Sequence, residues 1–404
     1  MTFEELHRLL EPKVQEQLAL HCKDDPAAFS MRFHDRRDLP VRAMAEQIAC
    51  RIKALKKLSS LSAHGLIYTS LALEQCTSEQ VAAYRASFMD GARLIDMSGG
   101  LGIDTMQLSG RFGSIDYCER DEVLCAVAAY NFKKAGISNV KVHHADSVDF
   151  LAFCDDDRFD WIFVDPARRE QGRRSVGLQS ASPDVTIIHD LMLRKAPRVC
   201  IKASPALEMK GLEILLPSLS LVAAVSLGGE CRELLLLLDR GHIRGSRPGK
   251  KAVCLGQGPS GIIEIKEDIR AGRVVAGSVR RYLFEPDPAI IKTGLASTVA
   301  VGSGMEFLNG TVDYLTADFL PEQFPGRSFE VVDVVPFKPK SFRAFLEKHR
   351  LDIAGASVQR RDFPLSPDEI RKKFRIREND RNFLFFTRES CGSLICIYGL
   401  RRLS

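Results

Sequence analysis

Up to about residue 90 the apolar positions of the chain recur every third or fourth residue. The run VRAMAEQIACRIKALKKL (41–58) shows the spacing most clearly, and FEELHRLL and SEQVAAYRASFM repeat it. That period predicts helices, and nothing in this stretch alternates as a strand does. From residue 93 the pattern changes to short apolar runs, RLIDM, SIDYCE, VKVHHAD, WIFVDP, VCIKASP, VAAVSL and ELLLLLD, separated by helical segments. Strand and helix in alternation predict an α/β domain with a parallel sheet covered on both faces. A Gly-Gly pair joins the last two runs and predicts a terminal antiparallel hairpin over 221–239.

The stretch GHIRGSRPGKK (241–251) reads as a boundary. The division expected is a helical region over 1–90, an α/β domain over 91–245, a small mixed domain over 246–330 and a basic domain over 331–404. A length of 404 residues suits several domains, and a hydrophobic fraction of 45% with 27% charged residues is that of a globular protein. The opening MTFEELHRLLEPK lacks the apolar core of a signal peptide, and apolar runs such as LLLLL (234–238) are far short of a membrane span. A cytoplasmic protein with no membrane partner is expected. Eleven cysteines without a CxxC pair or zinc-like spacing predict reduced thiols and no metal site. His143, His144 and His189 carry no ligand or nucleophile spacing and read as structural. Residues 331–404 hold 16 Lys+Arg against 9 Asp+Glu, a balance of +7, so against a total of +5 the rest of the chain sums to −2. The positive charge is concentrated in the tail.

The chemistry centres on LIDMSGGLGIDTM (94–106). A strand ending in Asp96 and turning through Gly99, Gly100 and Gly102 into a helix that begins near Asp104 brings bare backbone to the carboxyl edge of the sheet, where open α/β sheets bind ligands. A nicotinamide fingerprint would need a third small residue, and Thr105 stands at that place. The next strand ends in Glu119, suited to accept both hydroxyls of a ribose, and the third, VKVHHAD, ends in Asp146, placed to accept from an adenine amino group. The nicotinamide reading weakens at Thr105, and three acidic strand ends together are more specific than any one of them.

With these motifs the chain resembles the class I S-adenosylmethionine-dependent methyltransferases. The resemblance implies a Rossmann-like sheet of seven strands with the last antiparallel, S-adenosyl-L-methionine as cofactor, its methionine part in the glycine turn, Glu119 on the ribose and Asp146 near the adenine. The run LALEQCTSEQVAAYRA, the strand ends WIFVDPARRE and IKASP, and the basic tail resemble bacterial RNA methyltransferases with a small ferredoxin-like insert and a THUMP-like C-terminal domain. By that resemblance Gln75, Thr77, Ser78 and Glu79 close over the methionine group; Thr77 or Ser78 also reads as a helix cap.

The fourth strand runs into Asp165-Pro166-Ala167-Arg168. In amino-methyltransferases the motif is Asp/Asn/Ser-Pro-Pro-aromatic, in which the carboxylate and a proline carbonyl accept from the target amine and the aromatic stacks on the base. Asp165 and Pro166 match it; Ala167 and Arg168 depart from it, and an Arg plane can also stack on a base or bind phosphate. The Arg-ending motif is also similar to uracil C5-methyltransferases, which need a cysteine near the end of the following strand. Here Ser204 precedes Pro205 and Cys200 lies well back, so covalent C5 methylation is not expected. Arg168, Arg169, Arg173 and Arg174 give a basic loop suited to a polyanion, or a solvated surface loop. In the tail, Arg371, Lys372, Lys373 and Arg375 surround a helix capped near Ser366, and such charge neutralises phosphates.

The function expected is methylation of an exocyclic base nitrogen of RNA (tRNA or rRNA). The alternatives are a protein or small-molecule methyltransferase, and a non-catalytic RNA-binding protein that keeps the cofactor pocket.

Overall fold

A computed structural model describes residues 1–168 and 177–402. They form two compact units, one of residues 1–221 with 235–248, the other of 222–234 with 249–404.

In the first unit, residues 1–90 are helical, as their apolar period predicts, with a 17-residue helix Val41–Lys57 the longest. Two short helices precede it that the pattern did not single out, Pro12–Leu20 and Pro26–Phe33, each with Pro at its start. Proline is tolerated there because the first-turn N–H has no helical acceptor. The strands are β1 Gly91–Asp96, β2 Phe112–Glu119, β3 Val140–His144 and β4 Trp161–Val164. A two-residue pair follows, β5 Ala167–Arg168 and β6 Ala181–Ser182, and then β7 Arg198–Ala203, β8 Leu219–Leu227 and β9 Glu230–Asp239. β4 is buried at every position, as a central parallel strand must be.

The sheet order is β11-β10-β8-β9-β7-β4-β1-β2-β3. Its first-unit part keeps the expected seven strands, and β8–β9 is the hairpin foreseen at the Gly-Gly pair, with Gly228 and Gly229 at φ 64° and 78°. The expectation of a seven-stranded sheet is corrected to nine: within the second unit β10 Gly249–Leu255 extends the tip of β8, where Ser226 Oγ donates to Val253 O at 3.3 Å, and β11 Ile262–Lys266 pairs antiparallel with β10. The helical region is not separate from the sheet. Leu6, Cys50, Leu66 and Tyr68 share one core with Leu101, Tyr117 and Phe132, so residues 1–90 cover a face of the sheet that would otherwise expose apolar surface.

The second unit adds a seven-stranded sheet, β13-β14-β12-β15-β18-β17-β16. Its strands are β12 Tyr282–Pro286, β13 Glu306–Phe307, β14 Leu315–Ala317, β15 Gly326–Pro336, β16 Ser357–Arg360, β17 Asn382–Arg388 and β18 Leu394–Arg402. The boundary expected at 330 falls inside β15, which pairs with β12 on one side and β18 on the other. No helix among the described residues is long and apolar enough to cross a membrane.

Candidate active site

The carboxyl ends of β1, β2 and β4 meet at the turn 97–102. Asp96 is 1% exposed. Thr105 Oγ1 donates to its Oδ2 at 2.6 Å, and Ser98 donates to Oδ1 from its N and Oγ at 3.0 and 3.3 Å. Burial pushes the Asp96 carboxyl up to about 6, against the lowering effect of these bonds. Expected among the cofactor contacts, Asp96 instead turns both oxygens inward and shapes the turn.

The glycines divide the work. A Cβ on Gly99 would lie 2.2 Å from the Tyr117 ring, and one on Gly102 2.7 Å from Phe132. Gly100, at φ 57°, would meet nothing nearer than Ser98 O at 3.9 Å, so the space beside it is open. Two glycines therefore permit internal packing, and the third leaves room for a ligand against bare backbone.

Glu119 ties the turn to the end of β2. Its Oε2 accepts from Gly100 N at 2.8 Å, and its Oε1 from Arg120 N and Asp121 N at 2.7 and 2.8 Å. Tyr117 OH donates to Gly100 O at 2.6 Å from the same strand. Asp146 is not the end of β3, which stops at His144. It is the N-cap of helix Ser147–Phe153, accepting from Val148 N at 2.8 Å and Asp149 N at 3.2 Å through Oδ1, while Oδ2 faces Arg120 at 3.7 Å.

Before β1, Thr77 Oγ1 donates to Asp104 Oδ2 at 3.1 Å, bringing two of the expected residues together. Ser78 occupies the N-cap position of helix Glu79–Phe88 without a side-chain capping bond. Gln75 is exposed at the end of helix Ser70–Gln75, and Glu79 is buried, accepting from the Ser60 backbone N–H and hydroxyl. Sequence reasoning missed Arg85. It is fully buried, paired with Asp104, and its guanidinium lies 4.8 Å from the centre of the Phe163 ring on β4. Its only sequence signal is a lone charge within the small and apolar VAAYRASF.

At the end of β4, Asp165 N donates to Ser98 Oγ at 2.6 Å, and Ser98 Oγ in turn donates to Asp96. Lys202 Nζ donates to Asp165 Oδ2 at 2.5 Å, with Lys202 15% and Asp165 37% exposed. Lys202 was also missed. The parallel register Val164↔Ile201 sets position 165 beside 202, so aligning the strands DP and KASP end to end would have found the pair. Cys200 is buried within β7. Pro166 follows Asp165 into β5; the Arg168 side chain and Arg169, Arg173 and Arg174 lie outside the described residues.

In the second unit Ser366 and Glu369 form a reciprocal capping box on helix Pro367–Phe374. Arg371 is engaged by Asp368 at 3.0 Å and by Glu378. Lys372, Lys373 and Arg375 are exposed, whereas Phe374 and Phe383 are core.

Residues 326–399 match the THUMP domain-like family. The C-terminal segment is THUMP-like. The chain is 26% identical over 337 residues to an uncharacterized S-adenosylmethionine-dependent methyltransferase of Mycobacterium tuberculosis, covering 81% of this chain and 86% of that one. A crystal structure from Porphyromonas gingivalis W83, described as that of a putative methyltransferase, superposes over the whole of both chains with a TM-score of 0.83 at 23% identity. The methyltransferase fold with a THUMP-like C-terminal domain therefore accounts for the chain from end to end. S-adenosylmethionine fits the site described: an open backbone cradle at Gly100, a half-buried carboxylate at Glu119 and a further carboxylate oxygen at Asp146.

Proposed function

We propose that this protein transfers the methyl group of S-adenosyl-L-methionine to an exocyclic amine of an RNA base, guanine N2 or adenine N6, in a tRNA or rRNA. The observation that carries the reading is the acceptor set at the end of β4. Lys202 occupies Oδ2 of Asp165, which leaves Oδ1 and the Pro166 carbonyl as acceptors beside the glycine turn. An exocyclic NH₂ has two hydrogens to donate. Holding both fixes the rotation of the amine and directs its lone pair, which is the main task in an in-line displacement.

The cofactor supplies an electrophilic methyl group on a sulfonium. Glu119 receives the ribose hydroxyls; three N–H donors already occupy most of the roughly four lone-pair positions of a carboxylate, so the diol takes the place of the Gly100 N–H. Asp146 Oδ2 accepts from the adenine amino group, and Gly100 gives the methionine part its close approach. The Asp104–Arg85 pair holds the Thr77 segment over the turn. With Lys202 beside it, Asp165 serves as a fixed acceptor, and the amine proton leaves to water after transfer.

Arg168 supplies a stacking plane in place of the motif's aromatic residue, and the loop arginines 169, 173 and 174 hold phosphate. Lys372, Lys373 and Arg375, in a tail of net charge +7, add attraction that reads no sequence. The THUMP-like match supports RNA as the polyanion.

The test is transfer of labelled methyl to RNA from a strain lacking this protein, with the labelled nucleoside identified by mass. Label in an N-methylated purine is expected, and Asp165→Ala should reduce transfer about 100-fold or more while cofactor binding persists. Label in protein or a small molecule, or full activity in folded Asp165→Ala, would overturn the reading.

A further inference from the structure

Helix Ser147–Phe153 runs from its cap at Asp146 to Phe153, about 10 Å away, and a second hollow lies at that far end. This cavity, of about 190 Å³, sits against β2 and the outer strand β3 and opens to solvent. Lys141 and His143, two apart on β3, face it from the same side of the sheet. His143 Nε2 lies 2.7 Å from Asp116 Oδ1 on β2, and the His143 ring is 4.3 Å from that of Phe150. Phe150 and Phe153, three apart, share a face of the helix, and Arg158 closes the ring of side chains from the segment before β4.

Phe153 is 92% exposed. A lone exposed ring is ordinary on a protein surface, but this one stands over a cavity that already holds two further rings. Lys141 and Arg158 form no ion pair among the described residues; Asp116 is answered by His143, whereas Asp155 at the rim is not answered. Cations alone would suit a bare phosphate. Free cations with a free carboxylate and aromatic walls suit a ligand that carries anionic oxygens, N–H donors and a flat face together, which is a nucleotide with an amino-bearing base. The volume is below the roughly 300–1,000 Å³ of sites that enclose a small molecule. A free nucleotide would be only half held there, whereas one residue of a longer strand needs no more.

We propose that this cavity seats one nucleotide of single-stranded RNA, its base on Phe153, its amino group toward Asp155 and its phosphate between Lys141 and Arg158. Lys141 near the start of β3 and Arg158 before β4 lie toward the amino ends of the strands, and Asp165 follows the carboxyl end of β4. The seated nucleotide is therefore not the one methylated. That the strand belongs to the substrate rests on the function proposed above; the chemistry of the cavity does not.

The probe is a fluorescein-labelled oligocytidylate, its binding to the full chain read by anisotropy over a range of salt. Phe153→Ala should weaken binding about tenfold, within the range for loss of one stacked base, and leave the slope of log K against log salt unchanged. Lys141→Ala with Arg158→Ala should also weaken it and reduce that slope by about 0.7, the share of one single-strand phosphate. All three side chains are exposed, so the variants should melt with wild type. A 5-iodocytidine in the oligomer should crosslink on irradiation within residues 142–158.

The proposal is overturned if the oligomer does not bind, if both variants bind it as wild type does, or if the crosslink falls only in the basic tail. None of these outcomes touches methyl transfer, which the labelled-RNA assay and the Asp165 variant test by themselves. Label found in a protein or small molecule, with the oligomer still held at Phe153, would overturn the function and leave the nucleotide site standing.

Discussion

Asp96, Asp104, Glu119 and Asp165 each give at least one carboxylate oxygen to a named donor inside the first unit, so that charge there is spent on fixing atoms in place. In the second unit Lys372, Lys373 and Arg375 stand in solvent on one short helix and its C-cap, and Arg371 beside them is already answered by acids. The same residue classes therefore work over different ranges. Enclosed charge acts over one hydrogen bond and little salt reaches it, whereas exposed charge acts over a Debye length of about 8 Å at physiological salt and fades as salt rises. Variants of those enclosed acids should change geometry and turnover, and variants of the exposed lysines should change affinity and its salt dependence.

The largest effect after loss of Asp165 is expected at Gly99. A methyl group there meets the Tyr117 ring, and Tyr117 is itself fixed by its bond to Gly100 O. Gly99→Ala should cost about 1–3 kcal/mol of stability, as overpacked sites do, and should weaken cofactor binding because the turn must shift. Denaturant melts with cofactor titration check both; an unaffected melt would show that the turn yields freely.

Next comes a pH effect at Asp96. Its carboxyl titrates near 6 in the folded chain and near 3.8 unfolded. Between those values the folded chain keeps a proton that the unfolded chain has released, so this group's contribution to stability falls as pH rises from about 4 to about 6 and is flat above. The change is on the order of 2 kcal/mol. Asp96→Asn should lose that slope, which denaturation midpoints of the two chains at pH 4.5 and 7 will show; identical differences at both pH values would place the titration elsewhere.

Smaller again, Lys372→Ala with Lys373→Ala should weaken RNA binding several-fold and reduce the salt slope by up to about 1.5, leaving turnover at saturating RNA unchanged. A fall in turnover instead would erase the contrast between the units. The smallest effect is expected for Ser366→Ala, which removes the cap of that helix and should cost about 1 kcal/mol in the melt of the second unit with no change in cofactor affinity.

The sequence made legible what depends on local pattern. Helical period placed the helices Phe3–Leu9, Val41–Lys57 and Glu79–Phe88, the switch to short apolar runs placed β1 to β4 and β7 to β9, and the Gly-Gly pair placed the hairpin. Positions were legible where roles were not. Asp96 stood at a strand end as expected, yet Thr105, nine residues on, turns it inward, a pairing that exists only once the helix returns over the strand. Arg85 and Lys202 were invisible for the same reason: each gains its meaning from a partner brought near by tertiary packing, Asp104 in one case and Asp165 in the other. The extra strands β10 and β11 followed a Gly- and Pro-rich stretch that reads as an exit from the domain, although the chain continues the sheet.

That continuation bears on how the protein can be taken apart. Residues 222–234 form the tip of the β8–β9 hairpin and group with the second unit, although chain on either side of them groups with the first. No single truncation can then separate the units cleanly. A fragment ending at Pro248 would keep the whole hairpin and lose β10, baring the backbone donors and acceptors of β8 along an edge buried at Val222 to Ser226. Unprotected edges of that kind pair with one another, so such a fragment should aggregate on expression. A nick in the exposed chain near residue 245, which leaves both pieces present, should be tolerated.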